Sequence, residues 1–155
     1  MNFYTMENWI IRPARPSDQP EWLRMRLALW PDHSPEEVQA DLHEYFDEPG
    51  RVAAFMAETP GGALCAFLEA SLRPYADGCS TSPVGYIEGW YVDEGYRLQG
   101  VGGALVAAAE AWAKALGCME MASDCEIDNE ISFRAHLALG YAEANRLICF
   151  HKPLR

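Results

Sequence analysis

Positive charge is scarce in this chain. Its 155 residues carry 12 Lys and Arg against 23 Asp and Glu, a formal net charge of −11 at pH 7 and a pI near 4.7. Nucleic-acid binding draws most of its affinity from Lys and Arg meeting phosphates, so this balance argues against a DNA or RNA partner. The same negative field suits a small cationic molecule. Long apolar runs are missing too: none approaches the ~18 residues that a membrane span needs. Residues Met1 to Glu7 have neither a basic nor an apolar stretch, which argues against a secretory signal and for a cytoplasmic chain. No two of the cysteines Cys65, Cys79, Cys118, Cys125 and Cys149 are spaced Cys-x-x-Cys, so neither a zinc cluster nor a redox pair is expected and no metal is called for. They read as reduced thiols, mostly small buried groups. There is no internal repeat, low-complexity tract or linker, so residues 1–155 read as a single domain.

Half of the chain is hydrophobic, enough for a real core. Trp9 to Pro13 reads as a first strand. Ser17-Asp18 reads as the cap of a helix with Leu23, Leu27 and Trp30 on one face, stopped by Pro31. Ser34-Pro35-Glu36-Glu37 is a strong helix start: a capping Ser, Pro at the first helical position, Glu three residues after the cap. Val38, Leu42 and Tyr45/Phe46 form its apolar stripe and Pro49-Gly50 its end. Arg51 to Glu58 and Ala63 to Arg73 read as strands of a hairpin around Thr59-Pro60-Gly61-Gly62. Pro74 to Pro83 is a polar loop, and Val84 to Val92 another strand. Gly100 to Leu116 is a long Ala-rich helix with Val101, Leu105, Ala108 and Trp112 inward and Gly117 as its end. Met119 to Ala122 reads as a short buried strand. Asn129 to Leu139 reads as a helix with Ile131, Ala135 and Leu139 in register, and Tyr141 to His151 as a closing strand or two. This order describes a mixed α/β (α+β) domain.

The segment from Val92 to Leu105 carries most of the information. A strand leads to a loop that opens onto a helix rich in glycine at its first turn. The first N–H groups of a helix have no internal partner and bind anions, and glycine lets a phosphate approach the backbone. Arg97 adds a formal positive charge. The segment reads as a diphosphate cradle. No Gly-Lys-Ser/Thr follows, so it is no Walker loop, and its glycines do not fit Gly-x-Gly-x-x-Gly. A tight loop-to-helix turn packed on a sheet is the plainer alternative.

Arg97-Leu98-Gln99-Gly100-Val101-Gly102 resembles the Arg/Gln-x-x-Gly-x-Gly/Ala signature of the Gcn5-related N-acetyltransferase (GNAT) superfamily. Asn129-Glu130-Ile131-Ser132 followed by Leu139-Gly140-Tyr141 is similar to that family's second motif. Leu29-Trp30-Pro31, Glu69 to Arg73, Ser82-Pro83-Val84, Ile87-Glu88-Gly89, Ala122-Ser123-Asp124 and His136-x-x-Leu-Gly-Tyr together resemble its aminoglycoside 6'-N-acetyltransferase branch. The resemblance implies a single GNAT-like domain with a mixed, mostly antiparallel sheet flanked by helices and a splayed strand pair. It implies acetyl-CoA as co-substrate, an aminoglycoside as acceptor of the acetyl group on its 6'-amine, no metal, and a homodimer. Another amine, such as a polyamine or a protein N-terminus, and a non-catalytic CoA-binding sensor are the alternatives.

Site residues follow from the residues and the resemblance together. Glu88 lies mid-strand with Tyr86 and Trp90 on its face, where a charge needs a reason. It reads as an anchor or water-mediated base for the substrate ammonium, or as a structural Glu paired with Arg73. Asp124 follows a strand where α/β ligand sites gather, and reads as the base or as a turn residue. Gly89 marks a bulge that frees the backbone of Trp90, Tyr91 and Val92 for the cofactor's pantetheine arm. Arg97, Leu98, Gln99, Gly100, Val101, Gly102 and Gly103 form the diphosphate cradle. Asn129 is expected either to bond cofactor amides or to cap its helix. His136 stands where many members have Tyr, and reads as the acid that protonates a leaving thiolate or as a residue that serves structure alone. Trp30, His33 and Tyr75 are implied as substrate contacts beside Glu88 and Asp124, and near the C-terminus either Glu143 or Asn145 is a candidate for a further contact.

Overall fold

The structure, a computed structural model, describes residues 9–155; the reading of Met1 to Glu7 lies outside the described residues. The elements run β1 (Ile10–Pro13), α1 (Gln19–Leu29), α2 (Pro35–Gln39), α3 (Glu44–Asp47), β2 (Val52–Glu58), β3 (Leu64–Arg73), β4 (Val84–Val92), α4 (Val101–Ala115), β5 (Met121–Ser123) and α5 (Glu130–Ala138). The strands form one sheet in the order β1-β2-β3-β4-β5. The first four are antiparallel neighbours, and β5 pairs parallel to β4 after the crossover through α4. This is the mixed, mostly antiparallel sheet that the resemblance implies.

Strand alternation sends apolar side chains to both faces of the sheet. On one face Ala66, Leu68, Ala70 and Ile87 pack against Val101, Leu105, Val106 and Ala109 of α4. On the other, Met56 and Phe67 meet Trp22 and Met25 of α1 and Leu42. α4 buries Ala109 and Ala113 where the sequence points to Ala108 and Trp112, which are half-buried.

Several local expectations are corrected. The buried face of α1 is Trp22, Met25 and Arg26, while Leu23 and Leu27 are only half-buried. The apolar-only pattern fails because two of those buried side chains are polar at their tips and reach Glu69 inside the sheet. Asp18 does not cap α1 through its side chain. Its carboxylate accepts from the Arg12 guanidinium and from Arg15 N–H. The capping box at Ser34 forms as expected, but the helix it starts breaks after Gln39 and resumes as α3. Arg26 Nη1 donates to the Val38 carbonyl at 2.5 Å, and Leu42 N–H accordingly bonds back to Gln39 instead.

Larger departures lie after α4. β5 is shifted to Met121–Ser123 and is half-exposed rather than buried. No residue of α5 is buried, and Ile131 is 74% exposed. Residues 141–151 form no strand. Tyr141 is tied to Glu110 through its hydroxyl at 2.9 Å, but residues 142–155 are exposed and their backbone makes no hydrogen bond among the described residues. Among the cysteines, Cys65 and Cys118 are buried as read, whereas Cys125 and Cys149 are exposed.

Candidate functional site

The site is built around one irregularity in β4. Glu69 of β3 pairs with Gly89, but Ala70 pairs with Ile87, so Glu88 is the extra residue of a β-bulge. Gly89 is required there: a Cβ would come within 2.8 Å of the Trp30 ring. β5 accompanies β4 only from Gly85 to Ile87. Beyond the bulge β4 keeps β3 on one side, with Trp90, Tyr91 and Val92 opposite Leu68, Phe67 and Ala66. Its other edge has no strand partner among the described residues, so backbone donors and acceptors there are open to a ligand.

That open edge runs into the loop before α4. Arg97 Nε donates to the Val92 carbonyl at 2.8 Å, and Gln99 Nε2 to Gly95 O at 3.1 Å. Leu98 has φ +62° with its side chain fully exposed, a backbone state that non-glycine residues rarely adopt and that clusters at ligand sites. Gly100 caps α4 at φ +90°, with nothing within 4 Å of the place a Cβ would take. The helix has no side-chain cap among the described residues, so its first N–H groups lack an internal partner. Gly102 and Gly103 serve packing instead: a Cβ would lie 3.1 Å from the Trp90 ring and 3.2 Å from Leu139 respectively. The packing alternative thus holds at Gly102 and Gly103, while Gly100 is left open. Trp90 Nε1 is buried without a hydrogen-bond partner among the described residues, a group that asks for an acceptor.

The other end of β4 is acidic. Ser71 and Arg73 of β3, Tyr86 and Glu88 of β4, and Asp124 just past β5 form one polar cluster. Glu88 accepts from Ser71 Oγ at 2.5 Å and from Arg73 through Nε at 2.9 Å and Nη2 at 2.8 Å. The Arg73 guanidinium carbon lies 3.5 Å from the Tyr86 ring centroid, and Tyr86 donates its hydroxyl to Asp124 Oδ2 at 2.6 Å. The hydrogen bond to Glu88 raises the Arg73 pKa. Burial, then the bond to Asp124, pushes the Tyr86 hydroxyl up.

The remaining expected residues are placed as follows. His136 spends Nδ1 on the Ser132 carbonyl and Nε2 on Ser123 Oγ, both at 2.7 Å, with its ring edge-on to Trp90. Asn129 caps α5, its Oδ1 accepting from Ser132 N–H at 3.1 Å. Trp30 packs against Gly89 and stacks near Arg26. His33 is exposed beside Glu37, and Tyr75 is exposed with its hydroxyl on Asp77. Asn145 lies in the exposed terminal segment, whose root touches the loop at Gly78 through Ala144.

Two supports escaped the sequence reading. Glu69, sealed in β3, accepts from Trp22 Nε1, from Arg26 twice and from the Tyr45 hydroxyl. Arg26 also binds Asp41 at 2.7 Å, so this network fixes α1 and the segment after α2 against the bulge. A carboxylate inside the apolar run of β3 is the signal that could have found it. Glu120 accepts from Ser80 N–H, Thr81 N–H and Thr81 Oγ1, anchoring the loop over the acidic cluster.

Comparison with known proteins agrees with this geometry. A model described as Acetyltransferase (GNAT) family matches residues 12–141. The chain is 44% identical to "Aminoglycoside N(6')-acetyltransferase type 1" of Klebsiella aerogenes, covering 94% of this chain and 97% of that one. It is 46% identical to the protein of the same name from Serratia marcescens, over 86% and 91%. The solved structure of AAC(6')-Iy with the bisubstrate analogue CoA-S-monomethyl-acetylneamine superposes with a TM-score of 0.89 at 36% identity, over 95% of this chain and 99% of that one. AAC(6')-Ih from Acinetobacter baumannii gives 0.87 at 37%, over 96% and 100%. The family match spans most of the chain and the relatives are more than 30% identical over nearly their whole length, so the chain belongs to the GNAT acetyltransferase family.

Proposed function

We propose that this chain transfers the acetyl group of acetyl-CoA to the 6'-amine of aminoglycosides by direct attack, within the cytoplasm. The observation that carries the reading is the bulge at Glu88, which sets an open, cradle-fed strand edge and a carboxylate cluster at the two ends of β4. Acetyl-CoA, when bound, supplies an acyl carbon activated as a thioester. The exposed turn of Arg97, Leu98, Gln99, Gly100 and Val101 and the first N–H groups of α4 hold its diphosphate. The free edge of Trp90, Tyr91 and Val92 holds the amides of its arm, and the unpartnered Trp90 Nε1 fits an acceptor there. Gly102 and Gly103 let Trp90 and Leu139 close on the helix. Asn129, with its Oδ1 spent on capping, retains its amide NH2 toward the cofactor.

An amine attacks only when neutral, so a group must take its proton. Asp124 fits: Tyr86 holds Oδ2, and Oδ1 has no bond among the described residues. Glu88 contributes negative charge next to it. His136 is assigned to brace β5 against α5 through Ser123. Trp30, His33, Tyr75 and Asn145 border the cleft, where aromatic faces suit sugar rings and ammonium groups. The net charge of −11 draws a polycation in, an attraction that salt weakens.

A homodimer completes the reading. Leu147, Ile148, Phe150 and Leu154 are all exposed on a terminal segment with no cover among the described residues, and a second copy supplies it. Sedimentation should give twice the mass of one chain. The function is tested by thiol release from acetyl-CoA with kanamycin or tobramycin against relatives bearing a 6'-hydroxyl. Turnover of the former alone supports it. Absence of turnover with both, or acetylation of polyamines or peptides in preference, overturns it.

A further inference from the structure

Resting on that reading, we propose that Arg73 is a positioning and specificity-determining residue: a resident cation that occupies Glu88 and leaves Asp124 as the single carboxylate open to one acceptor ammonium.

Geometry supplies the argument. Glu88 has three donors on its two oxygens, Ser71 Oγ on Oε1 and the Arg73 fork on both. A fork of two parallel N–H bonds to a carboxylate is among the strongest and most directional of ion pairs. An incoming ammonium must compete with it at Glu88, whereas at Asp124 it meets an Oδ1 that has no bond among the described residues. The carbon of the same guanidinium lies 3.5 Å from the Tyr86 ring centroid, and the Tyr86 hydroxyl donates to Asp124 Oδ2. One side chain therefore fixes Glu88 directly and Asp124 through Tyr86. Charge counting points the same way. Two carboxylates and one guanidinium leave one negative charge, which balances one protonated amine. A polycation with several amines can then seat only one at a time.

The Arg73 and Glu88 side chains are 41% and 30% exposed. A pair so open to water adds little to stability, so removing it separates function from folding. In Arg73→Gln, Glu88 becomes a second ammonium site. The KM for the amine should fall about fivefold, the effect of one unit charge at contact distance in water-like surroundings. The kcat should fall about tenfold as the amine divides between two carboxylates and Asp124 loses its brace. Adding Glu88→Gln restores the charge count and should return KM to within twofold of wild type. Arg73→Lys keeps the charge without the fork, so KM should hold while kcat falls. Mass spectrometry of the product should show one acetyl position with wild type and a mixture with Arg73→Gln.

All variants are assayed on whichever amine the wild-type enzyme acetylates, beside a thermal melt. Wild type that acetylates only amines other than aminoglycosides refutes the proposed substrate without touching Arg73. The Arg73 proposal is overturned if Arg73→Gln keeps KM, kcat and product within twofold of wild type, if the double variant shows the same KM as Arg73→Gln, or if Arg73→Lys matches wild type in both constants.

Discussion

The chain up to Cys118 and the chain after it are organised differently. Before that point Trp22, Met25, Met56, Phe67, Leu68 and Leu105 are sealed, and buried charges such as Glu69 and Arg26 have partners. After it no residue is buried, yet Asp124, Asn129 and His136 all lie there. α4 and α5 show the contrast in one element type: α4 buries Val101, Leu105, Val106, Ala109 and Ala113, and α5 buries none. Stability belongs to the first region because that is where apolar area leaves water. The second holds the groups proposed to face the ligand, on and around a half-exposed strand and a helix without buried residues, and a terminal segment whose apolar side chains are exposed.

That division is broken most directly at Asp124. Asp124→Asn should lower kcat by about 100-fold or more, the range for loss of a general base, while the thermal midpoint stays put, since exposed substitutions move stability little. Steady-state thiol release beside a melt reads both. A large fall in midpoint would place Asp124 in the stabilising region and erase the contrast.

Second in size is Arg26. Arg26→Met leaves Glu69 charged, buried and short of two hydrogen bonds, and removing one partner of a buried pair costs about 3–5 kcal/mol. Urea titration should show the loss. Replacing Glu69 by Gln together with Arg26→Met should recover part of it, because no buried charge is then left alone. Unchanged stability in Arg26→Met would mean that the first region does not depend on its internal ion network.

How much of this was legible follows from which interactions are local. The helix start at Ser34, the end at Gly117, the hairpin around Pro60 and the Gly100 turn are written in short motifs, and each forms. The bulge was readable from Gly89, because only glycine fits against Trp30. What failed was long-range. The face of α1 was misjudged because Trp22 and Arg26 seek a carboxylate 47 and 43 residues away. The helix after Ser34 was read as continuous because nothing nearby shows that Arg26 takes the Val38 carbonyl. Residues 141–151 carry a strand pattern, but a pattern gives the faces of a strand and not its neighbour. At the site, Asp124 and Glu88 were visible as carboxylates in unusual places. The chain of Arg73 and Tyr86 joining them needed the register of three strands.

The smallest effect expected concerns pH, and it sharpens the view that charges in the first region are there for the fold. Asp18 is 6% exposed. The hydrogen bonds from Arg12, and after them the one from Arg15 N–H, hold its carboxyl below the ordinary range against the opposing pull of burial. A carboxyl depressed in the folded state adds stability above its unfolded pKa of about 3.9, and that stability is lost as pH falls through the folded value. Wild type and Asp18→Asn should therefore differ in urea midpoint at pH 7, by an amount corresponding to about 2 kcal/mol for one charge-assisted bond. Below pH 4 the two should converge. The direction decides: a gap that widens on acidification would mean that Asp18 is stabilised by protonation, which two guanidinium contacts at 2.8 Å do not allow.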